Sequence, residues 1–368
     1  MKVLFVFNHP APYKVTFFNE LKKYVDLFVV FERNKAKNRP IEFYSGNNYD
    51  FEHVFLKKGA FGNENSNTKE LKEFIKQHHN EYELIVMNGY STFTEMKAIK
   101  YMNKNHIPFI LMINGGIKKD NEFFFKKNLK KKYISSASLY LSPSIVSNEY
   151  LKYYGANKDL IRNYPYSTMK EDKLFSQVLT PSERNRIRER WELPSNKLFV
   201  NASQFIDRKN NEQLLRIFKN RPDLSLVLIG NGPLKENYET YIKANKMSNV
   251  KLMNYLKNEE VLEIMAACDC HITLSKEDIY GHTIHEALSR GVPVISSEHV
   301  IAAKALIKDD YNGYVVPLED EKILKAMDKV NEDMQLNALN SARENTIENC
   351  ARIIAGILQE NQKWKLFT

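Results

Sequence analysis

SKEDIYGHTIHEALSRGVPVISS, from Ser275 to Ser297, is the stretch that says most about the fold. Its pattern predicts a short strand or loop, a turn at Gly281, a helix, and then a buried apolar strand. Because Gly281 stands where the turn passes into the helix, we expect the backbone amides of His282 and Thr283 to be available to an anion. The stretch therefore predicts a strand–turn–helix unit with an anion site at its turn.

Two acidic residues flank this turn. Asp278 precedes Gly281, and Glu286 lies inside the predicted helix, eight residues after Asp278. Glu277 is adjacent to Asp278, so either residue can supply the first acid. Two carboxylates beside an anion site suit a ligand that carries both phosphates and sugar hydroxyls, such as a nucleotide sugar.

Apolar runs alternate with helical patterns along the whole chain, which is typical of parallel α/β layers. The length of 368 residues suits about two domains. The runs predicted as strands fall into two arrays, Val3–Phe7, Leu27–Phe31, Leu84–Met87, Phe109–Ile113 and Leu139–Leu141, then Phe199–Ala202, Ser225–Ile229, Val250–Met253, His271–Leu274 and Val292–Ser296. We therefore predict two Rossmann-like, doubly wound domains at residues 1–175 and 176–345, followed by an amphipathic helix within 346–368.

Two cations follow the first strand of the second array. Phe199 to Asn211 reads FVNASQFIDRKNN, which places Arg208 and Lys209 just before a helix. Arg binds a phosphate as a fork and Lys binds it as a point charge, so the pair is suited to a diphosphate. The next strand ends in Gly230-Asn231-Gly232-Pro233, where glycines permit a tight turn or the close approach of a ligand.

These motifs together resemble those of the family-4 retaining glycosyltransferases, which have the GT-B fold. The family pattern Glu-Gly-Phe-Gly, four residues, Glu-Ala is matched here by Asp278-Ile279-Tyr280-Gly281, four residues, Glu286-Ala287. The family's Lys is matched by Lys209, whereas its Arg is replaced by Ser203. The resemblance extends over Phe199–Pro317 through Gly230–Pro233 and Asn312–Val316, and more weakly over the N-terminal half.

The resemblance implies a fold, an activity and a set of roles. It implies two Rossmann-like domains facing a central cleft, with the acceptor on the N-terminal domain, the nucleotide sugar on the C-terminal domain, and the last helix packing back on the N-terminal domain. The activity implied is retaining transfer of a hexose-type sugar from a nucleoside-diphosphate donor, for which a UDP-sugar is expected. The acceptor implied is a saccharide or lipid-linked glycan in bacterial surface-polysaccharide synthesis, and no metal or other cofactor is expected. The residues to which it assigns catalysis are Arg208, Lys209, Asp278 and Glu286, and those assigned to the nucleotide sugar are Gly230, Gly232, Tyr255, Gly281, His282, Thr283 and Glu286.

The acceptor region is expected at the ends of strands in the N-terminal domain. The first strand ends in His9-Pro10-Ala11-Pro12, a loop that proline stiffens. After the predicted strand Phe109–Ile113 the chain has Asn114 and Gly115, where many relatives carry a His. Asn114 can bond a sugar hydroxyl but cannot act as a base at neutral pH.

The segment Lys118–Lys132, KKDNEFFFKKNLKKK, holds seven lysines and two acids, and so carries +5 of the chain's net charge of +9. Phe125, Leu129 and Tyr133 follow one another at helical spacing. Such a basic, aromatic segment is typical of binding to an anionic membrane surface or acceptor, although a helix that packs its aromatic side chains inward has the same pattern.

Composition and motifs narrow the cellular setting and the alternative classes of function. Cys268 and Cys270 lie in an apolar strand pattern, which argues against a disulfide or zinc site and favours a reducing, cytoplasmic setting. The basic segment Lys118–Lys132 adds the expectation of peripheral attachment to the inner face of the cell membrane. A nucleotide-sugar epimerase or hydrolase on the same fold is the alternative enzyme class. A nucleic-acid-binding module is disfavoured, because no stacking platform or helix-turn-helix pattern accompanies the basic segment.

Overall fold

The computed structural model of the protein describes residues 1–36, 41–56, 69–118, 122–278 and 280–364. Ile279 of the central motif and Lys119 of the basic segment lie outside these ranges. The chain divides into two compact units, one formed by Met1–Lys170 with Asn345–Thr368 and the other by Glu171–Glu344. The division falls a few residues before the boundary expected at 175, and the last segment belongs to the first unit.

The first unit is built on a parallel sheet of seven strands in the order β3-β2-β1-β4-β5-β6-β7. Its strands are β1 (Lys2–Phe7), β2 (Asp26–Phe31), β3 (Glu52–Phe55), β4 (Leu84–Met87), β5 (Ile110–Met112), β6 (Leu139–Ser142) and β7 (Ile161–Asn163). The helices between them are α1 (Pro12–Leu21), α2 (Glu70–His78), α3 (Phe93–Lys104), α4 (Phe124–Ile134) and α5 (Ile145–Tyr153). The winding direction reverses between β1 and β4, the point at which doubly wound folds open a crevice for ligands.

The second unit repeats this design with six parallel strands in the order β10-β9-β8-β11-β12-β13. The strands are β8 (Leu198–Ala202), β9 (Ser225–Ile229), β10 (Val250–Met253), β11 (Cys270–Thr273), β12 (Val294–Ser297) and β13 (Gly313–Val316). The helices are α6 (Pro181–Arg190), α7 (Asn211–Lys219), α8 (Lys235–Ala244), α9 (Asn258–Ala266), α10 (His282–Leu288), α11 (Ile301–Leu306), α12 (Asp320–Lys329) and α13 (Met334–Arg343). The prediction of two parallel α/β domains is confirmed.

Three strands were missing from the prediction, and all three lie at the edge of a sheet. They are β3 and β7 in the first sheet and β13 in the second. An edge strand can be covered less completely than a central one, and β3 and β7 therefore lack the continuous apolar run that marks a buried parallel strand, whereas β13 is mostly buried and has no such explanation. In β3, for example, all four residues are exposed or half-buried.

The last helix, α14 (Ile347–Trp364), packs against α1 in the first unit. Its apolar face is formed by Cys350, Ile354, Ile357 and Leu358, all of which are buried. The backbone amide of Ile347 donates to the carbonyl of Met169 at 2.9 Å, which ties the start of the helix to the end of the first segment of its unit. No helix in the described part of the chain has both the length and the hydropathy that a membrane span requires.

Candidate active site

The second unit brings Lys209 and Asp278 together as an ion pair, although they are 69 residues apart in the chain. Lys209 ends a short 3-10 turn after β8, and the left-handed conformation of Asn210 (φ 56°) then turns the chain into α7. Asp278 follows β11 and is anchored by its amide, which donates to the carbonyl of His299 at 3.2 Å. The Lys209 and Asp278 side chains are only 15% and 17% exposed. The pair therefore provides a fixed cation at the carboxyl edge of the second sheet.

Arg208 takes a different position from Lys209. Its side chain is exposed, and its guanidinium donates to the carbonyl of Glu277 at 3.3 Å. The structure thus joins Lys209 to the carboxylate of Asp278, and Arg208 to the backbone of Glu277. The choice of Asp278 over Glu277 as the first acid stays a prediction.

Gly281 holds the turn before α10 in a conformation that favours glycine. Its φ is 81° and its ψ is 59°, and a Cβ at this position would lie 2.4 Å from Cγ1 of Val300. Any other residue would therefore be strained in its backbone and would clash with Val300. His282 and Thr283 begin the seven-residue helix α10, as the sequence predicted, and the binding of an anion by their amides stays a prediction.

His271 is a residue of this region that sequence reasoning left unassigned. It is fully buried in β11, where Nδ1 donates to the carbonyl of Val200 at 3.0 Å and Nε2 lies 3.1 Å from the hydroxyl of Thr283. Burial lowers the pKa of His271 to about 4, so the ring is neutral and Nε2 accepts the Thr283 hydroxyl. Through its hydrogen bond with Thr283, His271 positions the start of α10. The sequence signal that could have identified His271 was a polar residue inside a predicted buried strand.

Glu286 is half-buried on α10. Its Oε1 accepts a hydrogen bond of 3.1 Å from the Asn258 side chain, at the start of α9. Desolvation raises the pKa of this carboxyl group, while the Asn258 hydrogen bond and the charge of Arg290 act in the opposite direction. Its contact with a donor sugar or ribose stays a prediction.

The glycines after β9 are explained by the packing of two loops. A Cβ on Gly230 would lie 1.9 Å from the carbonyl oxygen of Ser203, and a Cβ on Gly232 would lie 2.5 Å from that of Phe205. Ser203 itself is used locally, because its hydroxyl donates to Asn201 at 2.7 Å. The close neighbour of both glycines is thus protein backbone, and their contact with a nucleotide stays a prediction. Tyr255, the residue expected near the base, is 77% exposed.

In the first unit, a cavity of about 440 Å³ lies at the carboxyl ends of β1, β4 and β5, and both Asn114 and Gly115 line it. The Oδ1 of Asn114 accepts a hydrogen bond of 3.0 Å from the ammonium group of Lys14, which is itself buried. The other two residues expected in the acceptor region are not among those that line the cavity. The Nδ1 of His9 lies 3.2 Å from the hydroxyl of Tyr44, and Pro12 forms the first turn of α1.

Among the described residues, no group of three or more His, Cys, Asp or Glu side chains is arranged to hold a metal ion.

Comparison with known proteins agrees with this description. Residues 183–363 match the family described as Glycosyl transferases group 1. A Campylobacter jejuni protein, N-acetylgalactosamine-N,N'-diacetylbacillosaminyl-diphospho-undecaprenol 4-alpha-N-acetylgalactosaminyltransferase, is 25% identical over 169 residues, which are 45% of this chain and 46% of that protein. An Escherichia coli protein, UDP-Gal:alpha-D-GlcNAc-diphosphoundecaprenol alpha-1,3-galactosyltransferase, is 28% identical over 138 residues, which are 36% of this chain and 34% of that protein. The chain thus spans about half or less of the length of these curated relatives.

The crystal structure of Anabaena HepE in complex with UDP superimposes with a TM-score of 0.76 at 16% identity, covering 98% of this chain and all of that one. At this identity the likeness shows a shared fold, which is the GT-B fold of glycosyltransferases. Residues 183–363 are thus similar to a Glycosyl transferases group 1 domain, and the whole chain shares the fold of HepE.

Proposed function

We propose that this protein is a retaining glycosyltransferase that moves a hexose-type sugar from a UDP-sugar to a lipid-linked glycan in the synthesis of a bacterial surface polysaccharide. The observation that carries the proposal is the Lys209–Asp278 pair beside the Gly281 turn. The matched family and the relatives named above support it, since both named relatives act on diphospho-undecaprenol-linked sugars. HepE, which shares the fold, binds UDP.

In this proposal Lys209 stabilises the negative charge that develops on the departing diphosphate. Asp278 holds the ammonium group in place before the donor arrives, so little reorganisation accompanies the reaction. Arg208, at the neighbouring position of the same turn, adds a second cation at the surface. Positive side chains take the place of a divalent metal, and retention of configuration follows from front-face attack, with the departing phosphate oxygen accepting the acceptor's proton.

The protein would work at the cytoplasmic face of a membrane, where its acceptor is anchored. The support lies in α4 and the residue before it, because Phe123, Phe124 and Phe125 are 81%, 69% and 79% exposed. Consecutive exposed phenylalanines followed by lysines suit insertion between anionic lipid headgroups. The helix was expected to present Phe125, Leu129 and Tyr133 on one face, but only Tyr133 is buried.

The test is to incubate the purified full chain with radiolabelled UDP-glucose, UDP-galactose, UDP-N-acetylglucosamine or UDP-N-acetylgalactosamine. Each donor is supplied with and without undecaprenyl-diphospho-N-acetylglucosamine, in magnesium or in excess EDTA. We expect one donor to give an acceptor-dependent product with an α linkage by NMR, formed at similar rates in both buffers. Equal release of sugar with and without acceptor would identify a hydrolase instead, and a β-linked product would overturn retention. Loss of activity in EDTA with rescue by manganese would contradict a metal-independent reaction.

A further inference from the structure

The second unit contains a cavity that takes no part in the site described above. Lys197 and Asp269, which line it, lie directly before the adjacent strands β8 and β11. Lys209 and Asp278 follow the same two strands, so the cavity and the Lys209–Asp278 pair lie at opposite edges of the sheet. The volume of the cavity, about 450 Å³, falls within the roughly 300–1,000 Å³ of ligand pockets.

Positive charge dominates the wall of this cavity. Arg184 and Arg188, on α6, are 7% and 8% exposed, and both guanidinium groups pair with the carboxylate of Asp269. That carboxylate also accepts a hydrogen bond of 2.7 Å from the backbone amide of Leu198. Because a single carboxylate balances only one of the two guanidinium charges, one buried cation is left to be offset.

Lys197 adds a third cation to the wall. Its ammonium group donates to the backbone carbonyls of Met327 and Val330, both at 2.7 Å, rather than to a carboxylate. Glu332, the other acid of the wall, lies 3.7 Å from Arg184 but is 79% exposed, so water screens most of its charge. Counted without Glu332, the wall has an excess of two positive charges, which an anion can offset.

Two side chains of the wall have hydrogen-bonding groups to spare. The guanidinium of Arg184 has several N–H donors, and within the described part of the chain its only hydrogen bond goes to Asp269. Gln335, on α13, is 8% exposed, and its carboxamide makes no hydrogen bond with any residue that the structure describes. Arg188, in contrast, bonds to Asp269 and to three backbone carbonyls, so it shapes the wall and is not free to bind a ligand.

We propose that this cavity is a second ligand site, which binds a small phosphate monoester through Arg184 and Gln335. A phosphate monoester carries a charge of about −1.5 to −2 at pH 7, which matches the excess charge of the wall. Its oxygens accept the N–H donors of an arginine fork and of an amide together. Asn185, which also lines the cavity and is exposed, can bond to a hydroxyl of the organic part.

This ligand would not compete with a nucleotide sugar, because the cavity is at the other edge of the sheet from Lys209 and Asp278. The inference therefore goes beyond the proposed transfer reaction and does not depend on it.

The experiment is isothermal titration of the full chain with glycerol 3-phosphate in a phosphate-free buffer. Lactate, a carboxylate of similar size, is titrated in parallel. We expect glycerol 3-phosphate to bind at least about tenfold more tightly than lactate, a difference of about 1.4 kcal/mol, and to bind Lys209→Met as it binds the wild type. Absence of binding, or equal binding of lactate, would overturn the proposal. Loss of binding in Lys209→Met would place the ester at the other edge of the sheet and would overturn it as well.

Two variants assign the contacts. Arg184→Gln should weaken the binding of glycerol 3-phosphate at least about tenfold, because it removes the arginine fork. Gln335→Leu removes the amide but leaves the pairing of Arg184 with Asp269 in place, and should weaken binding roughly three- to tenfold, the loss of one hydrogen bond. It keeps the test decisive if Arg184→Gln does not fold.

Arg186→Gln is the matched control, since Arg186 is exposed on the same helix and lies outside the cavity wall. It should bind glycerol 3-phosphate as the wild type does. Wild-type affinity in both Arg184→Gln and Gln335→Leu would overturn the inference, and so would an equal loss of affinity in Arg184→Gln and Arg186→Gln.

Discussion

At the scale of single residues, the proposed chemistry of the second unit rests on the Lys209–Asp278 ion pair. Exposed ion pairs contribute about 0–1 kcal/mol, whereas breaking a buried pair costs about 3–5 kcal/mol. With side chains 15% and 17% exposed, this pair lies between those limits. Its ammonium group is held in place yet within reach of solvent, which is the condition under which it can exchange part of its interaction with Asp278 for a phosphate.

Removal of Lys209 should therefore reduce turnover more than it reduces stability. Lys209→Met is expected to lower kcat by roughly ten- to a thousandfold, because the charge on the departing diphosphate loses its fixed cation. Lys276→Met is the matched control, since Lys276 is nearby and pairs with Asp207 at 2.7 Å at the surface. Wild-type kcat in a folded Lys209→Met protein would remove Lys209 from the mechanism.

The buried histidines give the stability of the protein a pH dependence. Burial lowers the pKa of both His271 and His285 to about 4, so the unfolded chain binds their protons at higher pH than the folded one. The stability that depends on their neutral forms is complete above pH 6.5 and is lost as the pH falls from 6.5 to 4.

His271→Gln should therefore show a smaller fall in the free energy of unfolding than the wild type when urea denaturation is compared at pH 6.5 and pH 4.5. The full contribution of one such histidine is roughly 3 kcal/mol. His106→Gln, at an exposed position, should behave like the wild type. Identical pH profiles for wild type and His271→Gln would show that His271 does not remain neutral in the folded protein.

At the scale of elements, the turn before α10 and the helix α14 place glycine in opposite situations. Gly281 occupies a left-handed conformation against Val300, whereas a Cβ on Gly356 in α14 would meet nothing within 4 Å. The first glycine is required by its surroundings. The second costs stability, because glycine in a helix interior is less favourable than alanine.

Alanine at these two positions should therefore have opposite effects. Gly356→Ala should raise the free energy of unfolding by about 0.5–1 kcal/mol, while Gly281→Ala should lower it by at least about 1–3 kcal/mol through strain and the clash with Val300. Chemical denaturation of both variants checks the pair. A neutral Gly281→Ala would show that the α10 turn relaxes easily and does not constrain the site.

At the scale of the whole molecule, positive charge is unevenly distributed. The segment Lys118–Lys132 carries +5 of the net +9. Within it, Lys118 and Lys127 are held over the ring of Tyr153 at 4.7 Å and 4.3 Å, and Lys130 is paired with Glu122. Lys126, Lys131 and Lys132 are exposed on α4, and these are the lysines that we expect to face a membrane surface.

Changing Lys126, Lys131 and Lys132 to Gln should release the protein from anionic vesicles. Each lysine contributes about 1 kcal/mol near such a surface, so the triple variant should bind roughly a hundredfold more weakly at low salt. The matched control changes the exposed lysines Lys100, Lys104 and Lys322 to Gln, with the same loss of charge elsewhere. The measurement is co-sedimentation with phosphatidylserine-containing vesicles. An equal loss of vesicle binding in both triple variants would show that binding depends on net charge alone and not on the position of these lysines.

The sequence alone was enough to predict the central strands, the helices that follow Lys209 and Gly281, and the helix near the C-terminus. Periodicity and turn residues act over a few neighbouring positions, so short stretches of sequence are enough to predict these elements. The edge strands β3 and β7 were not predicted because none of their residues is buried, which leaves no such local pattern. Tertiary structure alone joined Lys209 to Asp278, placed His271 beneath Thr283, and gathered Asn8, Asn88 and Asn114 around one cavity. These residues meet because the order of strands in a sheet brings distant chain segments to one edge, and spacing along the chain carries no record of that order.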